Sequence, residues 1–170
     1  MGETKVTKDL EKRALTIERV LNAPRERVWS AYTDADKLVR WWGPRGWETT
    51  IKTFEFRPEG VWHYCMKCVD KNQGEFYGQE SWGKAVYHDI DAPNSFTYTD
   101  YFSDANGEIN TELPATEIAL DFVEENGKTR IVCRSVYASA RQLQQVLDMG
   151  MVQGFTETLD RLEELVTGKE

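Results

Sequence analysis

The 170 residues make a one-domain length, and a chain of this size buries roughly 70% of the surface it exposes when unfolded. Its 21 basic and 29 acidic residues leave a formal charge of −8, a field that repels phosphates and anionic headgroups and excludes non-specific nucleic-acid and membrane binding. No uncharged stretch exceeds eight residues, far short of the ~20 that a membrane-spanning helix needs.

Residues 1–13 read as a polar extension with no apolar h-region, and Val6 stands where a myristoylation motif needs Ser or Thr, so a cytoplasmic chain is expected. A single domain is assigned to residues 14–168. Residues 14–21 (ALTIERVL) alternate as a strand. Asn22 and Pro24 then start a short helix carrying Val28, Trp29, Ala31 and Tyr32, and a second short helix runs through Lys37, Leu38 and Trp41 to the stop at Gly43-Pro44. From Glu48 to Tyr137 the period becomes two. Strands are predicted at 49–57, 61–69, 81–90, 95–102, 116–124 and 128–137, separated by turn signals such as Asn106-Gly107 and Asn126-Gly127. Residues 139–166 place Leu143, Leu147, Met151, Phe155, Leu159 and Leu162 on one stripe, which predicts a single long C-terminal helix. One economical packing satisfies this order: an α+β helix-grip fold, with a curved antiparallel seven-stranded sheet wrapped around the long helix and two short helices after the first strand.

Several segments together resemble a known family. They are Ile17-Glu18-Arg19-Val20-Leu21-Asn22-Ala23-Pro24 with Val28-Trp29, Trp41-Trp42-Gly43-Pro44, Arg57-Pro58-Glu59-Gly60 with Trp62, residues 78–84 (GQESWGK), Thr97-Tyr98-Thr99-Asp100, and Gly154-Phe155 with Leu159 and Leu162. Their order and spacing are similar to the SRPBCC (START-like, birch-pollen-allergen-like) superfamily, specifically to bacterial proteins like the C-terminal domain of the activator of the heat-shock protein 90 ATPase. The resemblance spans Leu15 to Val166. It implies the helix-grip fold and, from the eukaryotic side, a chaperone-regulating, stress-response role. Glu59 departs from the pattern where a second glycine is usual, and Phe155 where tryptophan often stands.

No catalytic constellation is legible. No nucleophile elbow, H-E-x-x-H, P-loop or dinucleotide fingerprint occurs. Cys65 and Cys68 have the C-x-x-C spacing of metal and redox sites, but on a strand they project to opposite faces, and an odd total of three cysteines favours reduced thiols. No metal and no cofactor is expected. Of the two histidines, His63 is expected to face solvent, and His88, sharing a face with Trp82, to reach a cavity wall. Glu80 and Asp100, each between aromatic residues, are the candidate buried carboxylates.

The aromatic set carries the functional expectation. Trp41, Trp42 and Trp47 precede the second strand, and Trp62, Tyr64, Trp82, Phe96, Tyr98 and Phe102 recur at alternate strand positions. Gly150 and Gly154 lie four apart in the C-terminal helix on the same face as Thr158, and glycine within a helix costs ~1 kcal/mol relative to alanine. Two explanations stand side by side: tight packing against the sheet, or a void walled by aromatics and Met151. The residues assigned to a candidate ligand site are therefore Trp41, Trp42, Trp47, Phe54, Trp62, Tyr64, Trp82, His88, Phe96, Tyr98, Met151, Gly154 and Phe155, with Phe155 expected as a plug between helix and sheet. Three functions follow: a non-catalytic carrier of a small apolar or aromatic molecule; a chaperone-regulating interaction domain with an exposed patch at residues 41–47; and a cyclase- or dehydratase-type enzyme acting on an aromatic or polyketide-like substrate through a pair such as His88 with Tyr98.

Overall fold

The computed structural model describes residues 3–168. Strands β1 (Thr4–Asp9) and β2 (Ala14–Leu21) come first, followed by helices α1 (Arg25–Thr33) and α2 (Ala35–Leu38). The meander is β3 (Trp47–Phe54), β4 (Val61–Cys68), β5 (Glu80–Asp91), β6 (Ser95–Ser103), β7 (Thr116–Glu125) and β8 (Lys128–Val136), and helices α3 (Ala140–Asp148) and α4 (Met151–Thr167) close the chain. All pairings are antiparallel, in the order β1-β2-β8-β7-β6-β5-β4-β3. Register shifts between Ile51 and Thr53 and between Tyr87 and Ile90 interrupt the ladders and bend the sheet. Its inner face buries Leu15, Ile17, Trp62, Tyr87, Phe96, Leu120 and Ile131 against Leu159, Leu162 and Val166 of α4. This is the α+β helix-grip arrangement expected from the period changes.

Two features of that expectation are corrected. The sheet has eight strands instead of seven, because the polar lead-in is not a free extension: Thr4 to Asp9 pair with Arg19 to Ala14 through a turn in which the Arg13 N–H donates to the Leu10 carbonyl at 3.2 Å. Both faces of β1 are largely wet, so it carries no apolar alternation to betray it. The C-terminal helix is also broken. Gly150 sits at φ 83°, a left-handed conformation that ends α3 and begins α4, and its N–H returns to the Leu147 carbonyl at 3.1 Å. A periodicity argument passes through such a break because the apolar stripe continues on both sides.

Side chains fix α4 to the rest of the molecule. Arg19, on the inner face of β2 and 1% exposed, reaches Asp160 at 2.7 Å and Glu163 at 2.8 Å. Arg161 donates to the carbonyls of Arg40, Gly43 and Trp47 at 2.8–3.1 Å, binding the loop before β3 onto the helix. Glu59, the departure from the family pattern, occupies the left-handed region at φ 67°. Among the described residues no helix is long and apolar enough to cross a membrane.

Candidate functional site

A cavity of about 260 Å³ lies between the inner face of β4–β8, the loop at Trp42-Gly43-Pro44 and the underside of α3 and α4. For scale, an apolar cavity of about 150 Å³ accommodates benzene. The walls are Trp42, Tyr64, Met66, Tyr98 and Phe102, and the roof is Val146, Met151, Phe155 and Thr158. Gly154 completes the roof. A Cβ placed there meets nothing within 4 Å, so the glycine faces open space and not the sheet backbone. Of the two explanations for the glycines, the void is the one the structure contains at Gly154; Gly150 is explained by its backbone conformation.

One polar pair in the wall includes a carboxylate. The Tyr64 hydroxyl on β4 donates to both carboxylate oxygens of Asp100 on β6, at 3.1 and 3.2 Å. These strands are not neighbours, because β5 runs between them. The Tyr64 ring crosses β5 at Gly83, where a Cβ would come within 2.4 Å of its Cζ, so only a residue without a side chain lets the phenol reach the acid. Burial pushes the Asp100 carboxyl from its ordinary 3.8 up to about 7, and the Tyr64 hydrogen bond opposes this in part. Burial also holds Tyr64 and Tyr98 well above the usual phenol range, with the Asp100 charge as the second cause, and raises Cys133 to about 12. At neutral pH the wall is thus uncharged apart from Asp100, which is poised between its two forms.

Six of the thirteen residues assigned from sequence line the cavity with their side chains or, for glycine, its absence: Trp42, Tyr64, Tyr98, Met151, Gly154 and Phe155. Phe155 is half-buried at the roof and is not the expected plug. Trp41, Trp62 and Phe96 belong to the packed layer behind the wall: Trp41 donates its indole N–H to the Ala31 carbonyl at 3.0 Å, and Trp62 stacks on Tyr64 at 4.4 Å. Phe54 packs edge-on against Trp62 and Tyr87. Trp47 turns to Gln73, donating to its amide oxygen at 3.2 Å.

Trp82 and His88 are misplaced by the sequence reading. Along β5 it is Gly83, Ala85 and Tyr87 that face inward, so Trp82, although it borders the cavity, turns its indole to the outer face, 5.2 Å from His63 and beneath Lys52. His88 is exposed on the outer face, 2.7 Å from the Thr99 hydroxyl. The expected His88–Tyr98 pair therefore does not form across the cavity. His63 is only 5% exposed instead of solvent-facing, because the loop after β6 covers it and the Asp104 carbonyl lies 3.0 Å from its Nε2.

Of the two carboxylates singled out, Asp100 enters the site, whereas Glu80 is exposed and accepts the Trp82 indole N–H at 3.2 Å. Sequence reasoning missed Cys133, Tyr137 and Gly83, and it counted Phe102 among the strand aromatics without assigning it to the site. Phe102 shares the parity of Tyr98 and Asp100 and was within reach of the same argument. The residues at 41–47 form no exposed patch: Trp41 is fully buried and Trp42 and Trp47 are half-buried. The cysteines are free thiols, and among the described residues no three or more His, Cys, Asp or Glu side chains group as a metal-binding set.

The model of one family, described as activator of Hsp90 ATPase homolog 1-like protein, matches residues 22–167. No curated protein matches the chain. The crystal structure of protein Ms6760 from Mycobacterium smegmatis is 32% identical, with a TM-score of 0.87, covering 99% of each chain. A solution structure from Arthrobacter aurescens is 29% identical with the same TM-score of 0.87, over 97% of this chain and 92% of that one. CalU16 from Micromonospora echinospora, at 18% identity and a TM-score of 0.60 over 99% of this chain and 87% of that one, is similar in fold alone.

Proposed function

The chain belongs to the activator of Hsp90 ATPase homolog 1-like family, with its SRPBCC-type fold, and from that premise we propose that it is a binding protein for a small apolar or aromatic molecule held between the sheet and α4. The observation that carries this reading is the empty space beneath Gly154 in a roof that otherwise closes over aromatic side chains. A filled interior would leave a carrier nowhere to hold its cargo. The three free, buried thiols support a reducing, cytoplasmic setting.

Substituting Gly154→Leu tests the proposal. Four carbons enter space that the native residue leaves open, and leucine is the better helix former by up to ~1 kcal/mol. The variant is expected to keep or raise its melting temperature while losing binding of N-phenyl-1-naphthylamine, a neutral apolar fluorophore. A variant destabilised by ~1–3 kcal/mol, as overpacking produces, with a parent that binds no fluorophore, contradicts the reading.

A second reading, the chaperone-regulating interaction domain, is supported at a different place from the one expected. Val69, Phe76 and Tyr77, exposed by 43%, 50% and 48%, surround the short 3-10 turn at Lys71–Phe76. Isolated exposed apolar residues are common on any surface, and the cavity therefore carries more weight.

A further inference from the structure

Asp100 is the one acid in the cavity wall, and no lysine, arginine or histidine lines that wall among the described residues. Its partner is a phenol, which stabilises a carboxylate with one shared proton and supplies no charge. The groups packed around it are of the same kind. Tyr64 approaches from β4, Tyr87 from β5, Tyr98 from β6, Cys133 from β8 and Tyr137 from the residue after its end, all held neutral by burial through the physiological range. From above, α3 and α4 present Val146, Met151, Gly154, Phe155 and Thr158, none of which titrates. The charged residues of α4 point elsewhere, Arg161 to the carbonyls before β3 and Glu157 to the Arg45 N–H at 3.1 Å. A carboxylate in this position is a half-buried negative charge to which the described residues of the cavity wall offer no countercharge.

We infer that the cavity selects an apolar molecule of one or two rings that carries a protonated amine, the ammonium seated on Asp100 and the rings against the aromatic wall. This rests on the binding reading above and names its ligand class. An ammonium returns to the carboxylate the interaction that burial removed, and the faces of Trp42, Tyr64 and Tyr98 attract a cation through their quadrupoles. A carboxylate-bearing ligand such as a fatty acid finds no positive group here and meets Asp100 as a like charge. The overall charge of −8 further raises the local concentration of cations over anions.

Three isosteric probes, 2-(1-naphthyl)ethylamine, 2-(1-naphthyl)ethanol and 1-naphthylacetate, separate the possibilities when titrated calorimetrically from pH 5.5 to 8.5. The alkylammonium stays protonated throughout, as a lysine does with its pKa near about 10.4. At pH 8.5 the amine is expected to bind about tenfold tighter than the alcohol, with the acid weakest. Amine affinity should rise with pH through a midpoint near 7, while alcohol affinity stays level. In Asp100→Asn the preference and the pH dependence should both disappear. In Tyr64→Phe the midpoint should move up, because the hydrogen bond that favours the carboxylate is gone; an unmoved or lowered midpoint contradicts the assignment to Asp100. Equal affinities for amine and alcohol, or an amine preference that survives Asp100→Asn, overturn the inference and leave the cavity a binding site. Failure of all three probes overturns the binding reading and the inference together.

Discussion

Burial of Asp100 carries a cost that should appear in the pH dependence of stability. Its folded carboxyl titrates near 7 against an ordinary 3.8, so as pH rises from about 4 the unfolded chain gives up this proton first. The contribution of Asp100 to stability is therefore complete below pH 4 and is lost progressively up to about pH 7. Asparagine keeps the shape and the acceptor for Tyr64 without the charge. Urea midpoints of Asp100→Asn should gain on the parent between pH 4 and 7 and run parallel to it above; a gap constant over that interval contradicts the buried-acid account. The sequence marked both Asp100 and Glu80 by their aromatic neighbours, with a hydrogen bond to loop backbone the favoured role for Glu80. Separating them needed the inner face of β5, and that face is built of Gly83, Ala85 and Tyr87 because the Tyr64 ring lies across it. Taking the face shared by Trp82 and His88 as the inner one inverted the strand.

Between elements, the contact most dependent on a single residue is Arg19 on β2 with Asp160 and Glu163 on α4. Its guanidinium is almost fully buried, and removing it takes from the Glu163 carboxylate, also buried, a charged partner at 2.8 Å. Arg19→Met is expected to cost ~3–5 kcal/mol in a chemical denaturation experiment. Adding Asp160→Asn and Glu163→Leu should restore much of the loss, and a triple variant no better than the single one contradicts the pairing as the cause. Nothing in the alternation of residues 14–21 announced this. Arg19 falls on the apolar parity of Leu15, Ile17 and Leu21, and a cation there makes sense only once the acidic turn of α4 lies against it.

For the whole molecule, β1 determines where the sheet ends. It leaves β2 paired on both sides, and the Arg19 guanidinium reaches the Thr4 hydroxyl at 3.1 Å. Deleting the chain through Asp9 removes little buried apolar surface but exposes the backbone donors and acceptors of β2. The shortened protein is expected to fold with a modestly lower melting temperature and to associate as its concentration rises, read by size-exclusion chromatography at two concentrations. A monomer of unchanged melting temperature contradicts a structural role for β1.

The sequence by itself determined the order of elements from β2 to β8, the antiparallel meander and the helix-grip class, because period, turn chemistry and helix stops are local properties. Asn126-Gly127, read as a hairpin turn, adopts φ 51° and 78° between β7 and β8. It also identified Trp42, Tyr64, Tyr98, Met151, Gly154 and Phe155 as residues that meet beneath α4. Tertiary structure alone decided the rest. A polar edge strand has no alternation to read, a helix break inside a continuous apolar stripe leaves no gap in the pattern, and a tyrosine reaching an acid two strands away depends on the register of three strands at once. Local periodicity assigns a side chain to one of two faces, but which face is inner is set by what packs across it.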